Sequence, residues 1–202
     1  MYIPAAFKVE DRSLLYDFIE RYSFATLITT AEGIPFASHL PLLLDREREV
    51  LLGHLARANP HWQSFDGMHE GLIIFSGPHA YISPSWYATS PAVPTWNYAA
   101  VHVYGTPRLL EADQLSGLLA RLVSHYEAGN ERPWQYDLPE DYRQRMERAV
   151  VGVEVPITRI EGKFKLGQNR TVEDRRGMLT RLKVGHADGQ ALAAFMEAYA
   201  RP

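Results

Sequence analysis

Leu14, Leu15, Phe18, Ile19 and Tyr22 share one face at helical spacing behind Asp11 or Ser13 as a cap, which predicts an amphipathic helix over residues 11–22. The period then changes. Phe24–Thr30 and Ile34–Leu44 are β-rich runs joined by Ala31, Glu32 and Gly33, the pattern of a hairpin. Pro35 and Pro41 have no N–H for a ladder, so the second strand is expected to be interrupted, bulged or exposed along one edge. Five further runs are short, β-branched or aromatic, and punctuated by Gly and Pro: Glu49–Leu55, Leu72–Ser76, His79–Ser83, Tyr98–Gly105 and Val150–Val155. Seven or eight such strands predict a mainly β protein, an antiparallel barrel or sandwich.

Helical patterns interrupt and close this series. Leu115, Leu118, Leu119, Leu122, Val123 and Tyr126 form a stripe over 113–126, and the charged run 139–149 reads as a more solvated helix, so 113–149 is expected to be a helical insertion. Residues 171–200 are expected to be helical as well. Thr171-Val172-Glu173-Asp174 has the form of a capping box, and Leu192, Phe195, Met196 and Tyr199 repeat at i, i+3, i+4 and i+7. With no internal repeat or low-complexity linker, residues 1–202 are read as a single domain.

Composition narrows the chemistry. A chain of 202 residues with 46% hydrophobic and 22% charged residues can bury a sizeable core. The absence of cysteine excludes disulfides, thiolate zinc sites, iron–sulfur clusters and cysteine nucleophiles. A net charge of −3 gives no whole-protein basic field for a polyanion. No basic leader precedes a long apolar stretch, and no apolar run approaches the roughly 18–20 residues of a membrane span, so a soluble, cytoplasmic protein without membrane association is expected.

Residues 53–105 hold three of the four tryptophans and five of the eight histidines, which directs attention there. Gly53–Trp62 runs from a strand into a predicted helix with Asn59 as N-cap and Pro60 in its first turn. With Arg57 alongside, this is either a phosphate cradle or a plain capped helix with a surface arginine. Tyr81, Trp86, Tyr87, Trp96 and Tyr98 offer aromatic surface that can sandwich a planar ring or plug a subunit interface, and Asn97 offers donors and acceptors to a heterocycle edge. The histidines lack recognised metal-ligand spacing, and no G-x-S-x-G elbow is present. Eight basic residues against three acidic ones between Arg159 and Lys183 make a +5 segment, which suits a nucleotide phosphate, a DNA backbone or a solvated helix face. A helix-turn-helix around Val184-Gly185-His186 is a weak signal, because Gln190 and Arg201 are nearly all that the last helix offers to base edges.

Four ordered motifs, Gly53–Trp62, Tyr81–Tyr87, Val93–Gly105 and Lys163–Arg170, together with the opening Met1-Tyr2-Ile3-Pro4, closely resemble the PaiB-type FMN-binding negative transcriptional regulators. The resemblance covers essentially the whole chain. It implies a split β-barrel decorated by N-terminal, inserted and C-terminal helices, in a homodimer that binds FMN in grooves between subunits, and two-fold symmetry gives two equivalent sites. By the same resemblance, Ser38, His39, Leu40 and Pro41 lie along the isoalloxazine ring. The His54–His61 segment holds ribityl and phosphate, with Ala56 and Asn59 giving backbone or amide contacts and Arg57 the charge. Trp96, Asn97, Gln168, Asn169 and Arg170 close the site, and no metal is implied.

Three functions follow from this reading. The first is a regulator whose FMN occupancy or redox state alters a regulatory protein or a DNA surface. The second is an FMN-dependent oxidoreductase of the flavin-reductase kind, acting on a small molecule. The third is a binding module for FMN or another planar ligand such as haem, for which His39, His54 and His102 are the first axial candidates.

Overall fold

A computed structural model describes residues 1–199. Ala200, Arg201 and Pro202 lie outside the described residues, and with them the end of the expected helical segment. Ten strands are present: β1 (Lys8–Val9), β2 (Phe24–Ala31), β3 (Ile34–Pro41), β4 (Leu43–Asp45), β5 (Val50–Ala56), β6 (Gly71–Ile82), β7 (Thr95–Gly105), β8 (Arg108–Leu109), β9 (Val150–Pro156) and β10 (Arg159–Lys165). Among the described residues five α-helices accompany them: α1 (Arg12–Arg21), α2 (Ala112–Glu127), α3 (Glu140–Arg148), α4 (Val172–Lys183) and α5 (Ala187–Ala198). The strands form two sheets, of orders β1-β10-β7-β6-β2-β3 and β4-β5-β9-β8, and neither closes on itself. The described residues form two compact units, one made of Met1–Phe18, Ser76–Val101 and residues 161–199, the other of Ile19–Phe75 and His102–Ile160.

In the second of these units, β2 and β3 pair antiparallel from Phe24 opposite Pro41 to Ala31 opposite Ile34. Glu32 and Gly33, both at positive φ (51° and 80°), make the two-residue turn whose hand matches strand twist. The expected run 34–44 is interrupted at Leu42, just after Pro41, and resumes as β4 in the smaller sheet, while β3 itself passes through Pro35. β3 ends its strand order, so one edge of its backbone has no strand neighbour, and two of the three expected outcomes are met. β5 lies between β4 and β9 in the smaller sheet, and Leu43, Val50, Leu52, Leu118 and Leu122 form a buried cluster that seats α2. Glu154 is buried there between Arg48 (2.5 Å) and Arg108 (2.7 Å). Burial alone would raise its pKa, but hydrogen bonds from Arg108 and Arg48 outweigh that and lower it.

The other unit is organised around Phe18, which is fully buried with Phe164 at 5.2 Å and Phe195 at 5.9 Å, the latter edge-on. β1 pairs with β10, with Lys8 opposite Lys163 and Val9 opposite Gly162. Leu72–Ser76 and His79–Ser83 read as two strands separated by Gly77-Pro78, yet β6 runs through both. The reason is steric: a Cβ at Gly77 would lie 2.7 Å from the Phe18 ring, so the glycine makes room for the ring rather than a turn. β10 lies in the basic segment, for which a solvated helix face is one of the alternatives and no strand is expected.

The phenyl cluster generates the first prediction. Phe18→Ala is expected to lower stability by about 3–5 kcal/mol, measured by urea unfolding of the whole chain, because the cavity is walled by aromatics that cannot collapse into it.

Candidate functional site

The hydroxyls of Thr29 and Ser38 project from the same face of the β2–β3 hairpin, where His61 meets both. Nδ1 lies 2.8 Å from Ser38 Oγ and Nε2 lies 2.9 Å from Thr29 Oγ1. Hydrogen counting fixes the tautomer. Ser64 Oγ donates to the His61 carbonyl (2.8 Å), so Thr29 donates to Ser64 (2.8 Å) and must accept from His61 Nε2–H, which leaves Nδ1 to accept from Ser38. Asn59 completes the network: its amide donates to Ser38 (2.9 Å) and its Oδ1 accepts from the His61 N–H (3.0 Å). The ring is 1% exposed and packs on Phe36 (4.7 Å) and Phe65 (5.1 Å), and burial lowers the His61 pKa. His61 therefore holds Ser38, and with it β3, in place. Leu40 is buried beside Ser38, while His39 is exposed on the opposite face, 3.0 Å from Thr26 Oγ1.

Asn59 and Pro60 start a helical turn as expected, but it is a single 3-10 stretch, Pro60–Ser64. The His61 N–H of this turn is spent on Asn59, and that of Phe65, just after it, on the Trp62 carbonyl (3.2 Å). Arg57 is held at the joint between α3 and β9. Its Nε donates to the Arg148 carbonyl (2.7 Å) and its Nη2 to the Val150 carbonyl (2.9 Å). There it borders a cavity of about 310 Å³ with Leu109, Leu115 and Gln144. Ala56 is exposed at the end of β5. His54, two residues before it, has a buried Nδ1 with no hydrogen-bond partner among the described residues, and burial lowers its pKa. A buried ring nitrogen without a partner is costly, so this atom fits a ligand that supplies a hydrogen bond.

The remaining expected residues belong to the unit organised around Phe18. Trp96 is exposed, with Tyr81 edge-on at 6.1 Å and His79 at 6.3 Å. Asn97 is buried, and its amide faces the Met178 sulfur at 3.8 Å. Gln168 and Asn169 are exposed, and Gln168 folds back on its own turn, accepting from the Leu166 N–H (2.7 Å) and donating to the Phe164 carbonyl (2.5 Å). The Arg170 guanidinium lies 4.3 Å above the Tyr87 ring. Tyr87 is positioned in turn by Asp174, which is buried and accepts from the N–H groups of Ala88 (2.9 Å) and Thr89 (3.0 Å) and from the Thr89 hydroxyl (2.7 Å). These bonds, that from the Thr89 hydroxyl foremost, lower its pKa. Thr171 caps α4 through the Asp174 N–H (3.1 Å), but the reciprocal half of the expected capping box is replaced by this clamp on residues 88–89.

Two lysines not assigned to the site stand with Arg170. Lys163 and Lys165 alternate with Phe164 on β10, so both project away from the phenyl cluster. Lys163 reaches the Tyr2 carbonyl (3.0 Å) and lies over the Tyr98 ring at 5.1 Å, and Lys165 is hydrogen-bonded to Thr95 Oγ1. The Lys-Phe-Lys alternation carried this signal in the sequence. Among the described residues, no cluster of three or more His, Asp or Glu is arranged to hold a metal ion, and no helix is long and apolar enough to cross a membrane.

Residues 1–159 match a family whose description is "Putative FMN-binding domain". The chain is also 38% identical to protease synthase and sporulation protein PAI 2 of Bacillus subtilis strain 168, over 91% of this chain and 89% of that one. The chain belongs to this PaiB-type FMN-binding family. Two solved structures are similar in fold. The FAD- and haem-binding protein from Mycobacterium smegmatis covers 84% of this chain and 78% of its own, with a TM-score of 0.64 at 15% identity. The flavocytochrome Anf3 from Azotobacter vinelandii covers 84% and 75%, with a TM-score of 0.63 at 13% identity. The split-barrel expectation holds, with the sheets left open. For the FMN-binding family member described here, the match over 1–159 takes in β2, β3 and the His61 network and stops short of β10's lysines and Arg170.

The depressed His61 pKa makes stability depend on pH. His61 is neutral in both folded and unfolded chains above about pH 6.5, and below it the unfolded chain takes up the proton first. Stability is therefore expected to fall as the pH drops from about 6.5 through the folded pKa, with His54 acting in the same direction. In urea titrations at a series of pH values, His61→Gln should show a shallower decline than the parent.

Proposed function

We propose that this protein is a homodimeric, cytoplasmic FMN-binding regulator of the PaiB type, acting through the redox state or occupancy of its flavin. The observation that carries the reading is the FMN-binding family match over residues 1–159. FMN is the cofactor. The free edge of β3, Ser38–Pro41, suits hydrogen bonding to the polar rim of the ring, and the His61 network would keep that strand rigid. His54 Nδ1 is a ready partner for a ribityl hydroxyl, Ala56 and Asn59 stand beside it in the sequence, and Arg57 brings positive charge to the same segment. Trp96 offers exposed aromatic surface for stacking. Asn97, Gln168, Asn169 and Arg170 complete the proposed set. When bound, the flavin supplies electron or hydride transfer, while the protein orients it and sets its electrostatics.

The dimer rests on the family resemblance and its two-fold symmetry; Phe24 and Ile34, 68% and 69% exposed, are single apolar side chains at opposite ends of the β2–β3 hairpin. Regulation without a dedicated DNA-reading helix is supported by α5. It occupies the second position of the helix pair that a helix-turn-helix would use, yet it carries Asp188 and Glu197 and no lysine or arginine, so it offers no cation to a phosphate backbone. Glu197 is paired with Lys183 at 2.5 Å.

The purified protein is expected to bind one FMN per chain and to have a dimer's mass by light scattering. A colourless protein that takes up no added FMN would sink the proposal. DNA affinity, measured over a salt series, should vanish at modest salt without sequence preference. Steady turnover of a small molecule with nicotinamide-driven bleaching of the flavin would replace the regulator with an oxidoreductase.

A further inference from the structure

Several cations of this protein are paired with carboxylates. Arg46 is paired with Glu20, Arg48 and Arg108 with Glu154, Arg143 with Glu140 and Glu147, and Lys183 with Glu197. Lys163, Lys165 and Arg170 are wholly or partly buried and have no such partner among the described residues. Lys163 is 8% exposed, and its ammonium has a peptide carbonyl and two tyrosine rings for company. Lys165 is half-buried, and its hydrogen-bond partner is the neutral Thr95 hydroxyl. Arg170 is stacked on Tyr87, and neither lysine nor the arginine is within ion-pair distance of a carboxylate among the described residues. The charge of Asp174 acts on Arg170 without an ion pair between them, and its oxygens are bonded to Ala88 and Thr89.

These cations sense one another. Burial lowers the Lys165 pKa most, Tyr98 acts against this, and the charges of Lys163 and Arg170 add to it. A half-buried ammonium crowded by two like charges is unfavourable unless something neutralises it. The donors are also complementary in kind. Lys165 is a point charge with N–H groups beyond the one facing Thr95, Arg170 presents a planar fork held flat on an aromatic face, and Thr95 and Tyr98 add hydroxyls. Point charge, fork and hydroxyls together suit a compact oxyanion with several acceptor oxygens.

We propose that Lys165 and Arg170, supported by Lys163, Thr95 and Tyr98, form a receptor for a phosphate monoester dianion. The receptor is defined by its own cations and stands whether the phosphate is that of FMN or of a second phosphorylated small molecule. Lys163 is a positioning residue, since its ammonium is turned toward Tyr2 and Tyr98.

The test compares the whole protein with Lys165→Met, Arg170→Gln and the charge-keeping Lys165→Arg. FMN and riboflavin affinities are measured by fluorescence, and inorganic phosphate affinity is measured by calorimetry on the FMN-loaded protein. A loss of about tenfold or more in FMN affinity with riboflavin affinity unchanged assigns the phosphate to the flavin. Unchanged FMN affinity with a similar loss for inorganic phosphate assigns it to a second molecule. Lys165→Arg should retain most of either affinity. If Lys165→Met does not fold, Arg170→Gln carries the same comparison from the more exposed side. Should FMN and phosphate bind to both neutral variants as to the parent, the receptor is refuted. Parent protein that binds no FMN but takes up phosphate in a Lys165-dependent way would remove the flavin reading and leave the receptor in place.

Discussion

A neutral imidazole with both nitrogens occupied holds the β2–β3 hairpin to the turn that follows β5. His61 can do this only as the Nε2–H tautomer, because each hydroxyl around it has a single proton to give and Ser64 has committed its own to a carbonyl. The result is a closed chain of donors from the Asn59 amide through Ser38, His61, Thr29 and Ser64. A buried polar network of this kind favours one geometry, because any displacement leaves a donor or acceptor unpaired away from water. The edge strand β3 is thereby fixed from its buried face, while His39 and the strand's free edge remain open to a ligand.

A different device organises the unit containing Phe18. Asp174 could have closed a conventional capping box, but its carboxylate draws in the Ala88–Thr89 backbone, which sets Tyr87 beneath Arg170. Cation and ring then hold each other in a defined plane. On β10, Phe164 joins the aromatic core and thereby directs its two lysine neighbours the other way. Packing on one face of a strand has placed charge on the other.

Much of this was legible in the chain. The opening helix, the hairpin with its prolines at an edge, both inserted helices and the C-terminal pair follow from period and capping residues alone. The FMN-binding family could be named from four ordered motifs. What misled was local chemistry with two possible uses. Gly77-Pro78 looks like a break and is a clearance for Phe18, and Asn59-Pro60 looks like the start of a helix and gives one 3-10 turn. Arg57 looks like a free cation, yet two of its nitrogens are engaged by the carbonyls of Arg148 and Val150, some ninety residues away in the chain.

By itself, the sequence determined the class of fold, the family and the residue types available for a flavin, since these depend on periodicity and on short ordered motifs. Tertiary structure alone decided which polar groups are already satisfied. Whether an arginine is spent on a carbonyl or a lysine is left without a carboxylate depends on partners distant in the chain, and no local pattern encodes them. For that reason Lys163 and Lys165, two charges of a basic segment in the sequence, emerge as buried and half-buried cations without a carboxylate partner among the described residues.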